Sequence, residues 1–330
     1  MGQYMSNVIT QNWPPKPTFT EKELGDISGK VVIVTGGYSG VGYQLSKILY
    51  AANATVYIAG RREEVGLDAI KSIKAAHPDS QGRLEFLQLD LADLSTIKAS
   101  ADAFLAKESR LDVLWNNAGV MNVPKGDSGL TKQGHESMVG VNCLGPFLFT
   151  KLLHPLLEST AKASPRGSVR VVWLGSIMIQ LMAPKYGMDV DNFDFKKYKP
   201  ILTTRYSISK AGNLFIGSEW AKRDAKNGIL HLTVNPGNLR TPLQRGMSVF
   251  ERYAITWLLH EPIYGAYSEL FAGLSPDVRP EDSGRFIIPW GRFGTTRPDI
   301  DAGGLVSQNG EPSRAAKFFE YCENQTKAYA

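Results

Sequence analysis

The chain has 330 residues, of which 43% are hydrophobic and 21% charged. That balance excludes a disordered, collagen-like or low-complexity polymer, and the length allows one large domain or two small ones with a full core. The net charge of +5 is spread along the chain without a basic cluster, so it gives no sign of a nucleic-acid groove.

Residues 1–28 read as an N-terminal arm. The segment is polar, contains Pro14, Pro15 and Pro17, and lacks the charged start and apolar run of a signal peptide. The expectation is a mobile or surface-wrapped arm.

After it, short β-branched runs alternate with helical spacing. Residues 31–35, 55–59, 84–89, 111–115, 169–174 and 230–235 read as strands, and 286–289 as a weaker seventh. Residues 41–51, 63–76 and 95–108 carry the helical period. Strands that are apolar throughout are buried on both faces, and strand–helix alternation implies parallel strands joined by right-handed crossovers. The expected fold is α/β, a doubly wound parallel sheet of Rossmann type, as a single domain over residues 29–330. Such sheets bind ligands at the carboxyl ends of their strands, which directs attention to the turns there.

The first strand runs into Thr35-Gly36-Gly37-Tyr38-Ser39-Gly40-Val41-Gly42, and a helical pattern follows. Glycines let the backbone approach a pyrophosphate, and the helix N-terminus supplies free N–H groups. Leu45 takes the place of the third glycine in the strict GxGxxG pattern, and the same turn also serves as plain strand–helix punctuation. The second strand ends Ala59-Gly60-Arg61-Arg62, with Gly60 where an NAD site would carry an acid. A guanidinium there suits a 2′-phosphate, so Arg61 favours NADP(H), while Arg62 also reads as a solvated surface charge.

Further turns follow in order: Asp90-Leu91, Asn116-Asn117-Ala118-Gly119, Asn142, Ser176, Tyr206 with Lys210, and Asn235-Pro236-Gly237-Asn238-Leu239-Arg240-Thr241. The ordered set resembles the short-chain dehydrogenase/reductase family over about residues 29 to 245, and within it retinol-dehydrogenase-type and related fungal NADP-dependent members. The resemblance implies that Gly36, Ser39, Gly40, Val41 and Gly42 line the pyrophosphate turn. It implies that Asp90 bonds the adenine amino group beside Leu91, and that Asn117, Ala118 and Gly119 pack near the adenine ribose. Pro236, Gly237, Leu239 and Thr241 would hold the nicotinamide end, and Lys210 would bond the nicotinamide ribose.

Tyr206 and Lys210 are four residues apart in a helical segment, so one helix face carries both. A nearby ammonium and the nicotinamide cation would lower the phenol's pKa from near 10 toward the range of acid–base work. Ser176, just after the fifth strand, can hold the substrate oxygen. Asn142 would anchor a water that extends the proton relay through Lys210. The expected enzyme is an NADP(H)-dependent oxidoreductase that interconverts a carbonyl and an alcohol, with Tyr206 as acid/base. The alternative is a non-catalytic NADP(H)-binding redox sensor, although such proteins have usually lost the Tyr–Lys pair.

Residues 177–205, which include Met178 and Met182, read as a substrate loop, and 242–330 as a lid and C-terminal extension. The aromatic stretch 250–267 suits a flexible lid and a plain core helix equally. Methionine-rich apolar walls adapt to irregular ligands, so a lipophilic small-molecule substrate is expected, with Arg205 as an anchor for an acidic one. Two cysteines and five scattered histidines without HxxxH spacing give no expectation of a metal site. No apolar run approaches the roughly 18 residues of a membrane helix, so a cytoplasmic protein is expected. A homo-oligomer is compatible with the sequence and not derivable from it.

Overall fold

The computed structural model describes residues 8–121, 129–241 and 256–330. Eight strands form one sheet: β1 (Val31–Thr35), β2 (Thr55–Gly60), β3 (Arg83–Gln88), β4 (Val113–Asn116), β5 (Val169–Leu174), β6 (Ile229–Val234), β7 (Phe286–Ile288) and β8 (Arg292–Gly294). Their order is β3-β2-β1-β4-β5-β6-β7-β8. The first seven run parallel, and β8 pairs antiparallel to β7. The chain winds outward from β1 to β3 and then returns to lay β4 on the other side of β1. That reversal is the switch point at which a doubly wound sheet opens a crevice.

The sheet forms where the β-branched runs lie, and β1, β4 and β6 are buried along their whole length. Helices α1 (Gly40–Ala51), α2 (Glu63–Ala76) and α6 (Pro262–Leu274) cover one face with Leu45, Leu49, Ile73 and Leu270. Helices α3 (Leu94–Leu105), α4 (Gly145–Lys162) and α5 (Leu202–Arg223) cover the other with Ile97, Phe104, Phe147, Leu153 and Phe215. Such double coverage explains why these strands are apolar on both sides.

Two expectations shift at their edges. The fourth strand begins at Val113, because the Leu111 N–H donates to Thr160 Oγ1 at 3.0 Å and the Asp112 carboxylate takes the Val31 N–H at 2.9 Å. Strand β8 was not expected, since three residues are too few to show a period.

The C-terminal extension is built into the core from Pro262 onward. Ala266 and Leu270 of α6 are fully buried, and helix α7 (Arg314–Thr326) packs on α5 through Phe318 and Phe319. Phe319 lies edge-on to Phe147 at 5.0 Å and to Trp220 at 5.4 Å. Of the aromatic stretch, Thr256–Leu258 is a single 3-10 turn and the part from Pro262 belongs to α6; residues 242–255 lie outside the described residues. From residue 8 onward the arm wraps the surface. Residues 8–12 are helical, and Phe19 and Ile27 are buried in the core on the α1–α6 side.

Candidate active site

Thr35 stitches the switch point closed. Its hydroxyl donates to the Trp115 carbonyl at 3.2 Å and accepts the Ala118 N–H at 2.9 Å. Its carbonyl accepts the Asn117 amide at 2.7 Å. The Asn117 side chain thus ties the exits of β1 and β4 together. Gly36 and Gly40 hold left-handed φ values of 67° and 56°, which glycine adopts freely. At Gly42 a β-carbon would stand 2.6 Å from Asn117 Nδ2 and 2.7 Å from the Gly36 carbonyl oxygen, so only glycine fits. Ser39 caps α1 without a side-chain bond, and the first turn carries no acid. Val41 packs under the turn. A helix N-terminus left in this state, beside a turn that brings its backbone close, fits a dinucleotide pyrophosphate.

At the end of β2, a β-carbon on Gly60 would fall 2.2 Å from the Tyr38 ring. That ring fills the place an acid would need. Arg61 is exposed beside it, and the Arg62 guanidinium lies 5.5 Å from the Tyr38 ring centroid. Asp90 sits half-buried after β3 and accepts the Ala92 N–H at 2.9 Å, while Leu91 is buried against Gly145. In the turn after β6, Gly237 adopts φ 93° against Trp290 and donates to Asn235 Oδ1 at 3.1 Å. Pro236 and Thr241 are half-buried, and Leu239 is buried and bridges to His260.

Helix α5 carries Tyr206 and Lys210, both buried. The Lys210 ammonium donates to the Leu174 carbonyl at 3.0 Å, at the end of β5 and two residues before Ser176. The Ser176 hydroxyl lies beside the Tyr206 phenol, whose pKa it draws down, and accepts the Met178 N–H at 3.2 Å. Asn142 lies in a π turn (Gly140–Leu144) that interrupts the helix leading into α4. Its amide donates to the Val120 carbonyl and the Ser209 hydroxyl, each at 2.9 Å, and accepts the Val120 N–H at 2.8 Å. At Gly119 a β-carbon would lie 3.1 Å from Asn142 Oδ1 and 3.3 Å from Lys210 Nζ. The structure therefore brings Gly119, Asn142, Ser176, Tyr206 and Lys210 to one place.

One expectation is refined there and one is corrected. The Asn142 amide spends both N–H donors on the protein, so its side chain braces α5 instead of offering those donors to a water. Burial pushes the Tyr206 phenol up to about 12, opposed only by Ser176. The expected lowering by Lys210 does not occur. Its ammonium faces the ring, 5.7 Å from the centroid, and points to Leu174. Burial also lowers Lys210 to about 8. The chain's own groups thus hold Tyr206 as a protonated phenol at neutral pH.

Arg205 is a second correction. Its guanidinium meets Glu136 at 2.8 Å in a mostly buried pair, so it is committed to the fold and not held out for an acidic substrate. The other Glu136 oxygen takes the Met138 and Val139 N–H groups at 2.9 and 3.1 Å, just before the π turn. In the segment 177–205, Met178–Met182 forms a helical turn with Leu181 and Met182 exposed. Arg297 clamps its exit through the Ala183 and Pro184 carbonyls at 2.9 and 2.7 Å. Met121 is half-buried, and Asn122 falls outside the described residues.

Sequence reasoning missed two clusters. Glu269 in α6 is fully buried with no hydrogen-bond partner for either carboxylate oxygen among the described residues; burial raises it to about 8, and the Lys210 charge opposes that rise. A lone acid in the apolar run from Ser268 to Ala272 was the available signal. Scattered histidines also converge: His154 and His231 both bond Asp224, at 2.8 and 2.7 Å. One ligand atom each from His154, Glu158 and Asp224 lies within 4.8 Å of the others. Asn227 donates to Glu158 at 2.6 Å and to Asp224 at 3.0 Å, so hydrogen bonding accounts for the convergence. Among the described residues, no helix is long and apolar enough to cross a membrane.

The family model for short chain dehydrogenases matches residues 30–181. A short-chain dehydrogenase/reductase of Phomopsis amygdali is 46% identical over 98% of both chains. The short-chain dehydrogenase/reductase bet4 of Neocamarosporium betae is 43% identical over 99% of this chain and 95% of its own. Among solved structures, an uncharacterized protein from Mycobacterium paratuberculosis superposes with a TM-score of 0.68 at 27% identity, covering 94% of this chain and 97% of its own.

Proposed function

The chain belongs to the short-chain dehydrogenase/reductase family, and from that premise we propose that it is an NADP(H)-dependent oxidoreductase interconverting a carbonyl and an alcohol on a lipophilic small molecule. The observation that carries this reading is the meeting of Ser176, Tyr206 and Lys210 at the end of β5. A bare nucleotide-binding regulator would have no use for a buried phenol set beside a serine and backed by a buried ammonium.

When bound, the dinucleotide supplies the hydride equivalent. Gly36, Ser39, Gly40, Val41 and Gly42 would hold its pyrophosphate, and Pro236, Gly237, Leu239 and Thr241 would hold the nicotinamide end. Asp90, Leu91, Asn117, Ala118 and Gly119 would line the adenosine part. Arg61 would meet the 2′-phosphate, and the Tyr38 ring over Gly60 occupies the place of the acid an NAD site would use.

Ser176 orients the substrate oxygen and donates a hydrogen bond as negative charge develops on it. Tyr206 gives its proton to that oxygen in reduction and takes it back in oxidation. A phenol held protonated is ready for the reductive direction. Lys210 holds a positive charge beneath the tyrosine and is placed to meet the cofactor ribose, while Asn142 fixes the helix that carries both. Leu181 and Met182 offer an apolar wall to a lipophilic substrate.

The test is oxidation of NADPH and NADH against a panel of hydrophobic ketones and aldehydes, with wild type and Tyr206→Phe. NADPH-preferring turnover that Tyr206→Phe lowers by at least ~100-fold supports the reading. Equal activity in the two proteins sinks the mechanism, a preference for NADH sinks the cofactor assignment, and binding without turnover returns the protein to the sensor class.

A further inference from the structure

We propose that the N-terminal segment braces the nicotinamide end of the cofactor site, with Gln11 and Asn12 acting as positioning residues on the Asn235–Asn238 turn. The inference rests on the reading of that turn given above.

Asn235 is the centre of the arrangement. Its side-chain oxygen accepts the Gly237 N–H at 3.1 Å, which closes the turn from within. Its side-chain nitrogen donates to Gln11 Oε1 at 2.8 Å, across 224 positions of sequence. Both side chains are buried, with Gln11 at 2% exposure and Asn235 at 1%. A buried amide left without a partner would lose its hydrogen bonds to water with no return, so Gln11 sets which way the Asn235 amide faces. That orientation in turn presents an acceptor to Gly237.

Asn12 grips the other end of the turn. Its Oδ1 accepts the Asn238 amide at 2.7 Å, and its carbonyl lies 3.1 Å from His260 Nε2. The His260 N–H donates to the Asn238 carbonyl at 2.8 Å, so arm, turn and His260 close a ring of contacts. The arm is itself held from two further directions. Arg292 of β8 donates to the Thr10 carbonyl at 2.8 Å, and Trp13 stacks on Trp257 at 5.6 Å between centroids. Asn12 Nδ2 also donates to the Val8 carbonyl at 2.7 Å, within the helical turn of residues 8–12.

Consecutive residues 10–13 thus reach the turn after β6, His260, β8 and the 3-10 turn. Ordering a polar arm costs conformational entropy, and side-chain bonds this specific are more than simple coverage requires. Their common target is a turn with a left-handed glycine, whose shape sets where a nicotinamide ring can lie.

The experiment compares two ligands on the full-length protein: NADPH, and 2′-phospho-ADP-ribose, which keeps the adenine end and lacks the nicotinamide. Gln11→Met keeps the volume and removes the acceptor. Asn12→Ala removes the second contact at a less buried position, and reports on the brace even where Gln11→Met folds poorly. Each variant is expected to weaken NADPH about tenfold while 2′-phospho-ADP-ribose stays within about twofold of wild type. Gln11→Glu, which keeps an acceptor for Asn235, is expected to recover part of the loss. Equal weakening of both ligands would mean a general fold staple and overturn the proposal, as would no change in either. Failure of wild type to bind either ligand would overturn the cofactor reading and the brace with it. Normal wild-type binding with unaffected variants would overturn the brace alone.

Discussion

Lys210 and Asn213 share one acceptor: both donate to the Leu174 carbonyl, at 3.0 and 2.8 Å. That single oxygen sets where α5 meets the end of β5, and so how far Tyr206 stands from Ser176. Lys210→Met keeps the Asn213 bond and removes a buried charge. Turnover is expected to fall by ~100-fold or more while the melting temperature holds or rises, because a desolvated ammonium is costly. Steady-state rates beside a thermal melt check it. A melting temperature that collapses along with activity would make the lysine a plain structural post.

Glu269 and Lys210 give the protein opposite pH dependences. Glu269 is raised from 4.5 to about 8, so between those values the folded chain holds a proton that the unfolded chain has lost, and stability falls as pH rises. Lys210 is lowered from 10.5 to about 8, so between about 8 and 10.5 the unfolded chain binds more protons, and stability rises with pH. Glu269→Gln keeps the shape and removes the first slope. The variant's advantage in melting temperature should be near zero at pH 5 and grow toward pH 8. A gap that stays constant across that range refutes the assignment.

The same pair couples through charge. Glu269 supports the Lys210 ammonium, so its removal should lower the lysine's pKa further. Any limb that Lys210 contributes to the pH–rate profile is then expected to move to lower pH in Glu269→Gln. An unmoved profile means that the two groups do not communicate.

Arg61 is exposed at the end of β2, beside a ring that closes off Gly60. Arg61→Ala is expected to weaken NADPH by about 10- to 100-fold, the worth of a charge-assisted contact, and NADH by little. Titration by cofactor fluorescence measures both. Comparable losses for the two cofactors would remove the 2′-phosphate argument.

Glu136 and Arg205 join the approach to the π turn with the helix residue next to Tyr206. Breaking a buried pair from one side leaves the other charge unpaired, at a cost of about 3–5 kcal/mol. Glu136→Leu alone should therefore destabilise more than Glu136→Leu combined with Arg205→Leu, as measured by denaturant unfolding. A double variant whose loss equals the sum of the two single losses would show that the pair carries no coupling.

Much of this was legible along the chain. Strand–helix alternation shows as period, and the turn from Gly36 to Gly42 shows because glycine marks close backbone approach. Tyr206 and Lys210 were placed on one face by their spacing alone. Strand β8 was too short to show, and Arg205 was misread because its partner Glu136 lies 69 positions away.

The sequence by itself determined the doubly wound sheet, the family and the short-range geometry of the site, because hydrophobic period, turn glycines and i, i+4 spacing are local properties. Only the tertiary structure decided the electrostatics and the bracing. Burial raised Tyr206 and Glu269 and lowered Lys210, and burial is set by what packs on a group rather than by its sequence neighbours. The contacts of Gln11 with Asn235 and of Arg205 with Glu136 likewise join residues that only folding brings together.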